Sequence, residues 1–299
     1  MRRKAAKSSA VILVTACLAA AFTGCSAPDV ADRAPELVGP LIKHHGGRLV
    51  SVKIHPKWGM AMMSDGAGAQ IERIGFGQDT TPGALPAHPI DGVRLPSIGS
   101  ADFDVDGYVA RVSETSGSCG MDDWEVKATA LSSSAVVITQ VCAGQQTAFS
   151  LNGTPVNSVD DVWSPESFAT AWKELLTVNP SGQVLDLNLS AEELTAELPP
   201  DASGSSCQMA YKRALAGVPR FELPVISSQC QDSAQGNKID LTAHDAKTVW
   251  EQVASLSREH GVVLDEETSL RIHREGEGVA RLTLSRSAQA ATVDVTAPR

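Results

Sequence analysis

Residues 164–198, SPESFATAWKELLTVNPSGQVLDLNLSAEELTAEL, contain a predicted helix followed by two predicted strands. Ser164 and Pro165 are typical of a helix start, because serine caps free backbone N–H groups and proline fits the first helical position. The apolar residues that follow have the spacing of one helical face and are Phe168, Ala171, Trp172 and Leu175. The turn-forming residues 179–182, NPSG, are expected to end the helix.

The pattern beyond this helix changes to strict alternation of apolar and polar residues. It runs through residues 185–190, LDLNLS, and recurs after a short turn in residues 194–198, LTAEL. A period of two with one polar side predicts antiparallel strands that are covered on one face. The preceding helix is the natural cover for that face.

The order of one helix and three short strands recurs about four times along the chain. A second clear helix covers residues 246–256, after Thr242 and Asp245, which resemble a capping box. In the first half of the chain, Pro40 predicts that no long helix forms around residues 36–45, and a short helix is expected near Tyr108. We therefore predict an α+β fold of about four repeated αβββ units, with antiparallel sheets each covered by a helix. The links between strands are too short for a parallel doubly wound sheet.

Two connectors divide the chain. Residues 77–99 are rich in proline and glycine, and residues 152–161 form the second connector. We place the domain boundary in the second connector, which predicts a first α+β lobe over residues 34–156 and a second over residues 157–299. Both lobes have a common domain size.

The N-terminal residues have the pattern of a secretion signal. Four basic residues within the first seven precede 13 apolar residues, 10–22, a run too short to span a membrane as a helix. The run ends in residues 22–25, FTGC. We expect a signal peptide over residues 1–24 and a flexible tether over residues 25–33.

Residues 22–25 resemble the lipobox of bacterial lipoproteins, with Gly24 and Cys25 as the matching positions. This leader resembles those of exported lipoproteins of high-GC Gram-positive, actinobacterial-type bacteria. The resemblance implies a diacylglycerol with palmitate-type chains on the Cys25 sulfur, anchored at the extracytoplasmic face of the cell membrane, where two acyl chains bind stably. Residues 14–17, VTAC, are a rival lipobox, and an ordinary signal peptide with free release is the other alternative.

Net charge limits the partners of the chain. It carries 25 basic and 35 acidic residues, a net charge of −10. Cleavage at Cys25 would remove four of the basic residues and none of the acidic ones, which leaves 21 against 35, or −14. This balance argues against a nucleic-acid partner, and it predicts that the lipid supplies the anchoring because anionic headgroups repel the protein.

Four cysteines lie beyond the leader: Cys119, Cys142, Cys207 and Cys230. An even number in an exported chain indicates structural disulfides. Three pairings are possible, and we favour the two local ones, Cys119–Cys142 and Cys207–Cys230, because each closes a segment that resembles a hairpin. A metal site is the alternative, but the cysteines lack the close spacing and the nearby histidines that such sites use.

Asp102, Asp104, Asp106 and the following Gly107 match the first half of a calcium-binding loop. A complete loop needs a glutamate at its twelfth position, which is Ser113 here. The favoured interpretation is that these carboxylates cap a helix start. Calcium binding is the alternative.

Residues 58–63, WGMAMM, are unusual for a strand because Trp and Met fall on both of its faces. Core packing on two sides is the favoured explanation. An exposed, adaptable patch that binds a partner or a lipid is the alternative.

The sequence contains no recognisable nucleophile, dinucleotide-binding or phosphate-binding motif. We therefore predict a non-catalytic, membrane-anchored extracytoplasmic lipoprotein that binds a partner protein or an envelope ligand, with no cofactor besides the lipid on Cys25. The alternatives are an extracellular hydrolase with an unrecognised site and a calcium-stabilised structural module.

Overall fold

The fold is described here from a computed structural model of the chain. The described residues are 30–44, 48–64, 71–77, 83–85, 95–120, 123–159, 161–199, 208–215, 230–231, 237–274 and 279–295. The helices within these segments do not include one that is long and apolar enough to cross a membrane. Residues 1–29, with the predicted signal peptide and Cys25, lie outside the described residues.

Four α-helices occur in the described segments: α1 (Val30–His44), α2 (Val105–Cys119), α3 (Pro165–Val178) and α4 (Ala246–His260). A short 3₁₀ turn, Leu241–Ala243, precedes α4. Several strands follow each helix in the chain.

The first half of the chain builds one antiparallel sheet, called the first sheet. Its strands are β1 (Arg48–His55), β2 (Trp58–Ser64), β3 (Ile71–Gly77), β4 (Gly83–Leu85), β5 (Ile98–Gly99), β6 (Trp124–Ala130), β7 (Val136–Cys142), β8 (Gln145–Leu151) and β9 (Thr154–Pro155). Their order is β4-β3-β2-β1-β6-β7-β8-β9, with β5 paired to β1. Helices α1 and α2 pack on one side of this sheet.

The second half supplies the strands β10 (Gln183–Val184), β11 (Asp186–Ser190), β12 (Glu193–Leu198), β13 (Gln208–Ala214), β14 (Cys230–Gln231), β15 (Ile239–Asp240), β16 (Thr268–Arg274), β17 (Ala280–Arg286) and β18 (Gln289–Asp294). The second sheet has the order β14-β13-β12-β11-β16-β17-β18, and β10 pairs with β15. All of its pairings are antiparallel. The predicted α+β class with antiparallel sheets is thus confirmed.

The alternation read from the sequence appears as alternating burial. In β11 and β12 the inward residues are Leu187, Leu189, Leu194, Ala196 and Leu198, and all of them are buried. Leu185, the first residue of the predicted alternation, precedes β11 and is half-buried. The buried face packs beneath α3 and α4 in one apolar cluster.

Helix α1 differs from the sequence-based expectation. It runs for 15 residues and contains both Pro35 and Pro40, so the prediction that Pro40 prevents a long helix was wrong. Both prolines lie on the exposed face, where water can bond the carbonyls that they leave free. The opposite face buries five apolar residues, Ala34, Leu37, Val38, Leu41 and Ile42. The helix also begins within the segment that was predicted to be a tether.

Helix α2 is also longer than the short helix expected near Tyr108, because side chains fix both of its ends. Asp104 caps its first turn, and Cys119 in its last turn forms a disulfide with Cys142 of β7. Buried Gln140 of β7 donates a hydrogen bond of 2.7 Å to the Thr115 hydroxyl. These contacts compensate for a helix face that buries few side chains.

One apolar core crosses the predicted lobe boundary at residues 156–157. Phe149 and Leu151 of β8 belong to the same buried cluster as Val156 and Val159 of the connector and the apolar residues of α3. The connector is also held by backbone, since the Val159 N–H donates to the Leu215 carbonyl at 2.8 Å. The two sheets are therefore joined by packed structure.

A buried ion pair fixes α3 to the second sheet. Arg213 of β13 is only 2% exposed, and its Nε donates to Glu174 Oε2 of α3 at 2.8 Å. The same guanidinium donates to the Asn157 carbonyl of the connector at 2.6 Å. One side chain thus joins a strand, a helix and the connector.

Removing Glu174 should be strongly destabilising, because it leaves the Arg213 charge buried without its partner. We expect Glu174→Ala to lower the free energy of unfolding by about 3 kcal/mol in urea denaturation. The double variant Glu174→Leu/Arg213→Met should recover most of that loss, because it removes both charges. A loss below about 1 kcal/mol in the single variant would show that the pair does not hold α3.

The only two tyrosines of the chain, Tyr108 and Tyr211, are both buried. The Tyr108 hydroxyl donates to the Val126 carbonyl at 2.9 Å. Burial raises the pKa of Tyr108 well above its usual range, and the charge of Glu125 raises it further. Burial also raises the pKa of Tyr211, with a further contribution from Glu174.

These pKa shifts predict loss of stability in alkali. Above the ordinary pKa of 10.0 the unfolded chain loses the tyrosine protons while the native protein keeps them. The free energy of unfolding should then fall by up to about 1.4 kcal/mol per pH unit for each tyrosine. Tyrosinate absorbance should rise only together with unfolding followed by circular dichroism. Tyrosinate that forms at the ordinary pKa in the folded protein would contradict the buried positions.

Candidate functional site

The three aspartates of the possible calcium loop do not converge. Asp102, Asp104 and Asp106 are all exposed, and Asp104 caps α2 by accepting a hydrogen bond of 2.9 Å from the Gly107 N–H. A side chain at Gly107 would overlap the Asp104 carboxylate, which explains the glycine. Across the described segments, no group of three His, Cys, Asp or Glu side chains is placed to hold a metal ion.

The structure describes only some of the cysteines that were predicted to form disulfides or carry a lipid. Cys119 and Cys142 form a disulfide with Cα atoms 5.7 Å apart, which joins the end of α2 to β7. Cys207 lies outside the described residues, and only the backbone of Cys230 is described, paired with Met209. Cys25 lies outside them as well.

A concave surface formed by described residues is an open groove of about 550 Å³ beside α3. One wall is the α3 edge with Ala169, Trp172, Lys173, Leu176 and Thr177. The other wall is the 3₁₀ turn and the start of α4, with Thr242, Ala243, His244, Asp245 and Ala246. Ligand pockets of proteins usually have volumes of roughly 300–1,000 Å³, so this groove has room for a small molecule.

The residues after α3 position the second wall. Gly182 has a left-handed backbone with φ +63°, and a Cβ there would collide with Thr242. The Gly182 carbonyl accepts a hydrogen bond of 2.9 Å from the Leu241 N–H. The turn that ends α3 therefore also holds the 3₁₀ turn beside it.

The second wall is further fixed by two helix caps. Asp240 accepts a hydrogen bond of 2.9 Å from the Thr242 N–H, and Asp245 accepts one of 3.1 Å from the Thr248 N–H at the start of α4. Both carboxylates thus have structural roles in the groove wall. The ammonium of Lys173, which is exposed on α3, is the cation at the groove.

Trp172 in the α3 wall carries a buried polar group. The residue is 4% exposed, and its indole N–H, which is closed off from solvent, has no hydrogen-bond partner in the described part of the protein. An unpaired buried donor costs roughly 1–3 kcal/mol.

A second network links the far end of α3 to α4. The Trp163 indole donates to the Asp265 carbonyl at 2.9 Å, and the Trp250 indole donates to the Trp163 carbonyl at 3.1 Å. Arg286 donates to Asp265, which lowers the pKa of that carboxyl. This network holds the two helices that form the groove.

The groove was not predicted from the sequence. The helical spacing placed Trp172 on the core face of α3, and it gave no role to Ala169, Lys173, Leu176 or Thr177. Together these five residues follow the spacing i, i+3, i+4, i+7 and i+8, so a second stripe beside the core stripe was the available signal. The opposite wall comes from residues about 70 positions later and has no local signal.

Comparisons with known proteins assign no family. No protein-family model and no curated protein matches the chain significantly. Structural matches include the C-terminal region of FEN-1 bound to PCNA of A. fulgidus, with 11% identity, TM-score 0.18 and coverage of 89% of this chain and 96% of that one. The PCNA2–PCNA3 complex of Sulfolobus tokodaii matches with 6% identity, TM-score 0.18 and coverage of 88% and 94%. PCNA of Entamoeba histolytica matches with 7% identity, TM-score 0.17 and the same coverage. Likenesses this weak carry no argument about this chain.

The two interpretations of Asp104 give different responses to calcium. If Asp104 is a helix cap, Asp104→Ala should lower the free energy of unfolding by about 1 kcal/mol, and the loss should be the same with calcium and with a chelator. Asp106→Asn is a matched control and should change it by less than about 0.5 kcal/mol, because Asp106 is an exposed residue of the first turn. A calcium-dependent rise in melting temperature that Asp104→Ala abolishes would instead establish a calcium site.

Proposed function

We propose that the chain is a non-catalytic, lipid-anchored extracytoplasmic protein that binds an envelope ligand in the groove between α3 and α4. The observation that carries the binding role is the groove itself, with apolar side chains on both of its walls. The lipobox-like residues 22–25 support the anchor. The Cys119–Cys142 disulfide supports an oxidising compartment, because structural disulfides persist outside the cytosol.

The chemistry of the groove selects a class of ligand. Apolar side chains line it on both walls: Ala169, Trp172, Leu176, Ala243 and Ala246. The polar groups at the groove include the exposed Lys173 ammonium, the His244 imidazole and the hydroxyls of Thr177 and Thr242. A small molecule with an apolar body and an oxygen acceptor complements this set. The groove is thus suited to an amphipathic envelope compound.

We also infer that the chain is built from about four copies of one helix-and-three-strand unit. The order of the described elements supports this inference, since α1, α2, α3 and α4 each precede a run of consecutive antiparallel strands. The inward positions in the strands alternate in both sheets.

Filling the groove should abolish binding without unfolding the protein. The probe is 1-anilinonaphthalene-8-sulfonate, which has an apolar body and an anionic oxygen acceptor. We expect Ala169→Trp to weaken probe binding at least about tenfold, a loss of about 1.4 kcal/mol, because the new side chain occupies the groove. Fluorescence titration of the folded protein measures the affinity.

Ala254→Trp is the matched control, because Ala254 is half-buried on α4 and does not line the groove. Its affinity for the probe should be within about twofold of that of the unsubstituted protein. Equal binding by the unsubstituted protein and Ala169→Trp would show that the probe binds elsewhere and would reject the groove as the site.

The anchor is tested separately. Cys25→Ala should move the protein from the membrane fraction to the soluble extracytoplasmic fraction, because it removes the only sulfur that accepts the diacylglycerol. Cys17→Ala, in the rival lipobox, should leave the protein in the membrane fraction. The reverse pattern would assign the anchor to Cys17, and membrane retention of both variants would contradict lipid anchoring.

A further inference from the structure

The side of the first sheet that faces away from α1 and α2 carries an unusual surface. Residues directly opposite in antiparallel strands share a face, and β1 places His55 opposite Trp58 and Lys53 opposite Met60. Their neighbours, such as Ile54, are buried on the helix side. We call the following set the outer patch: Lys53, His55, Trp58, Met60, Met62, Arg73 and Lys127.

The apolar part of the outer patch is open on one side. Trp58 is 39% exposed, and Met60 lies half-buried beside it. The β3 residues opposite them are Gly77 and Gly75, which have no side chains to cover them. The Trp58 ring stacks on His55 with 5.3 Å between ring centroids, and Lys53 Nζ lies 5.5 Å from the Trp58 centroid. An indole is therefore held at the surface in a fixed orientation.

The outer patch is cationic on an acidic chain. Lys53, Arg73 and Lys127 share the face, and exposed Lys57 lies in the β1–β2 turn. Among the described residues of β1, β2, β3 and β6, Glu125 carries the one carboxylate on this face. Its Oε2 atom lies 2.7 Å from Lys53 Nζ. The chain as a whole has a net charge of −10. The described residues of this face thus carry a net positive charge on a chain whose net charge is negative.

The corresponding face of the second sheet has balanced charges. Its cations each lie beside a carboxylate, in the pairs Lys212–Glu193, Arg271–Asp186 and Arg281–Asp294. Hydroxyl pairs such as Ser269 with Ser285 fill the positions between them. The excess of cations and the exposed tryptophan therefore distinguish the first sheet.

The chain connection places the outer patch near the predicted anchor. Helix α1 packs on β1, and α1 ends at His44 shortly before β1 begins at Arg48. Because a strand that follows so closely and packs against the helix has to run back along it, we infer that the β1–β2 turn and Trp58 lie toward the end of the sheet where α1 begins. Four residues lie between Cys25 and Val30, and the five steps from one Cα atom to the next span at most about 18 Å. A lipid on Cys25 would hold this end of the first sheet within reach of the bilayer.

We propose that the outer patch rests on the anionic bilayer that holds the anchor, with Trp58 at the level of the headgroups. This inference depends on the proposed lipidation of Cys25. Tryptophan favours the membrane–water interface, and lysine and arginine are attracted to anionic headgroups. Because the whole chain is acidic, the patch sets the orientation of the anchored protein, and the lipid supplies its affinity.

The experiment uses the full lipidated protein in vesicles that contain brominated lipids, which quench tryptophan emission at short range. We expect quenching in phosphatidylglycerol vesicles and at least about twofold less in phosphatidylcholine vesicles or at high salt. Trp58→Phe should abolish the part of the quenching that depends on the anionic lipid. Trp250→Phe, which changes a half-buried tryptophan of α4, should retain it.

A charge reversal tests the cationic part of the patch with a matched control. Lys127→Glu should reduce quenching by phosphatidylglycerol at least about twofold, whereas Lys212→Glu on the second sheet should not. Quenching that persists in Trp58→Phe would overturn the proposal, and so would equal quenching in both kinds of vesicle. If acylated protein stays with the vesicles but its tryptophan emission is not quenched, membrane contact by the outer patch is rejected while lipid anchoring is supported. If the protein does not stay with the vesicles, lipid anchoring through Cys25 is rejected as well.

Discussion

The groove depends on one buried ion pair, that of Arg213 with Glu174. Arg213 projects from β13 into the core, and its contacts with Glu174 and the Asn157 carbonyl determine where α3 lies over the second sheet. Because α3 forms one wall of the groove, its position decides whether a groove exists. The opposite wall is set by the Gly182–Leu241 contact. A charge is buried here at considerable cost, and its hydrogen bonds to α3 and to the connector explain why it is tolerated.

The alternation of side chains across each sheet creates two different outer surfaces. In the second sheet the outward cations are neutralised by carboxylates on neighbouring strands, which makes a well-hydrated face. In the first sheet the same positions hold Trp58, Met60 and an excess of cations. The strands of both sheets thus bury their inward residues in the core, whereas their outward residues give the two sheets surfaces of different chemistry.

The segment from Ser164 to Leu198 was predicted well, because its caps, helical spacing and strand alternation all act locally. Helix α1 was mispredicted because tertiary burial of its apolar face outweighs the local effect of Pro40. The continuity of the core across residue 156 was not foreseen, because it comes from the outward face of β8. The groove was also missed, because it joins α3 to Thr242 and its neighbours, which only the folded chain brings together. Of the residues weighed as sites, Asp104 has a structural position in α2, and Trp58 is half of an exposed aromatic stack.

The proposed function depends most on a covalent lipid at Cys25, because that modification would define the compartment, the nearby bilayer and the ligands that the groove can meet. The most direct test is the intact mass of the mature protein purified from membranes of a lipoprotein-producing bacterial host. The account predicts a chain that begins at Cys25 and carries the mass of a diacylglycerol, with Cys119 and Cys142 oxidised. A mature chain that begins at another residue, or one without acyl groups, would contradict it.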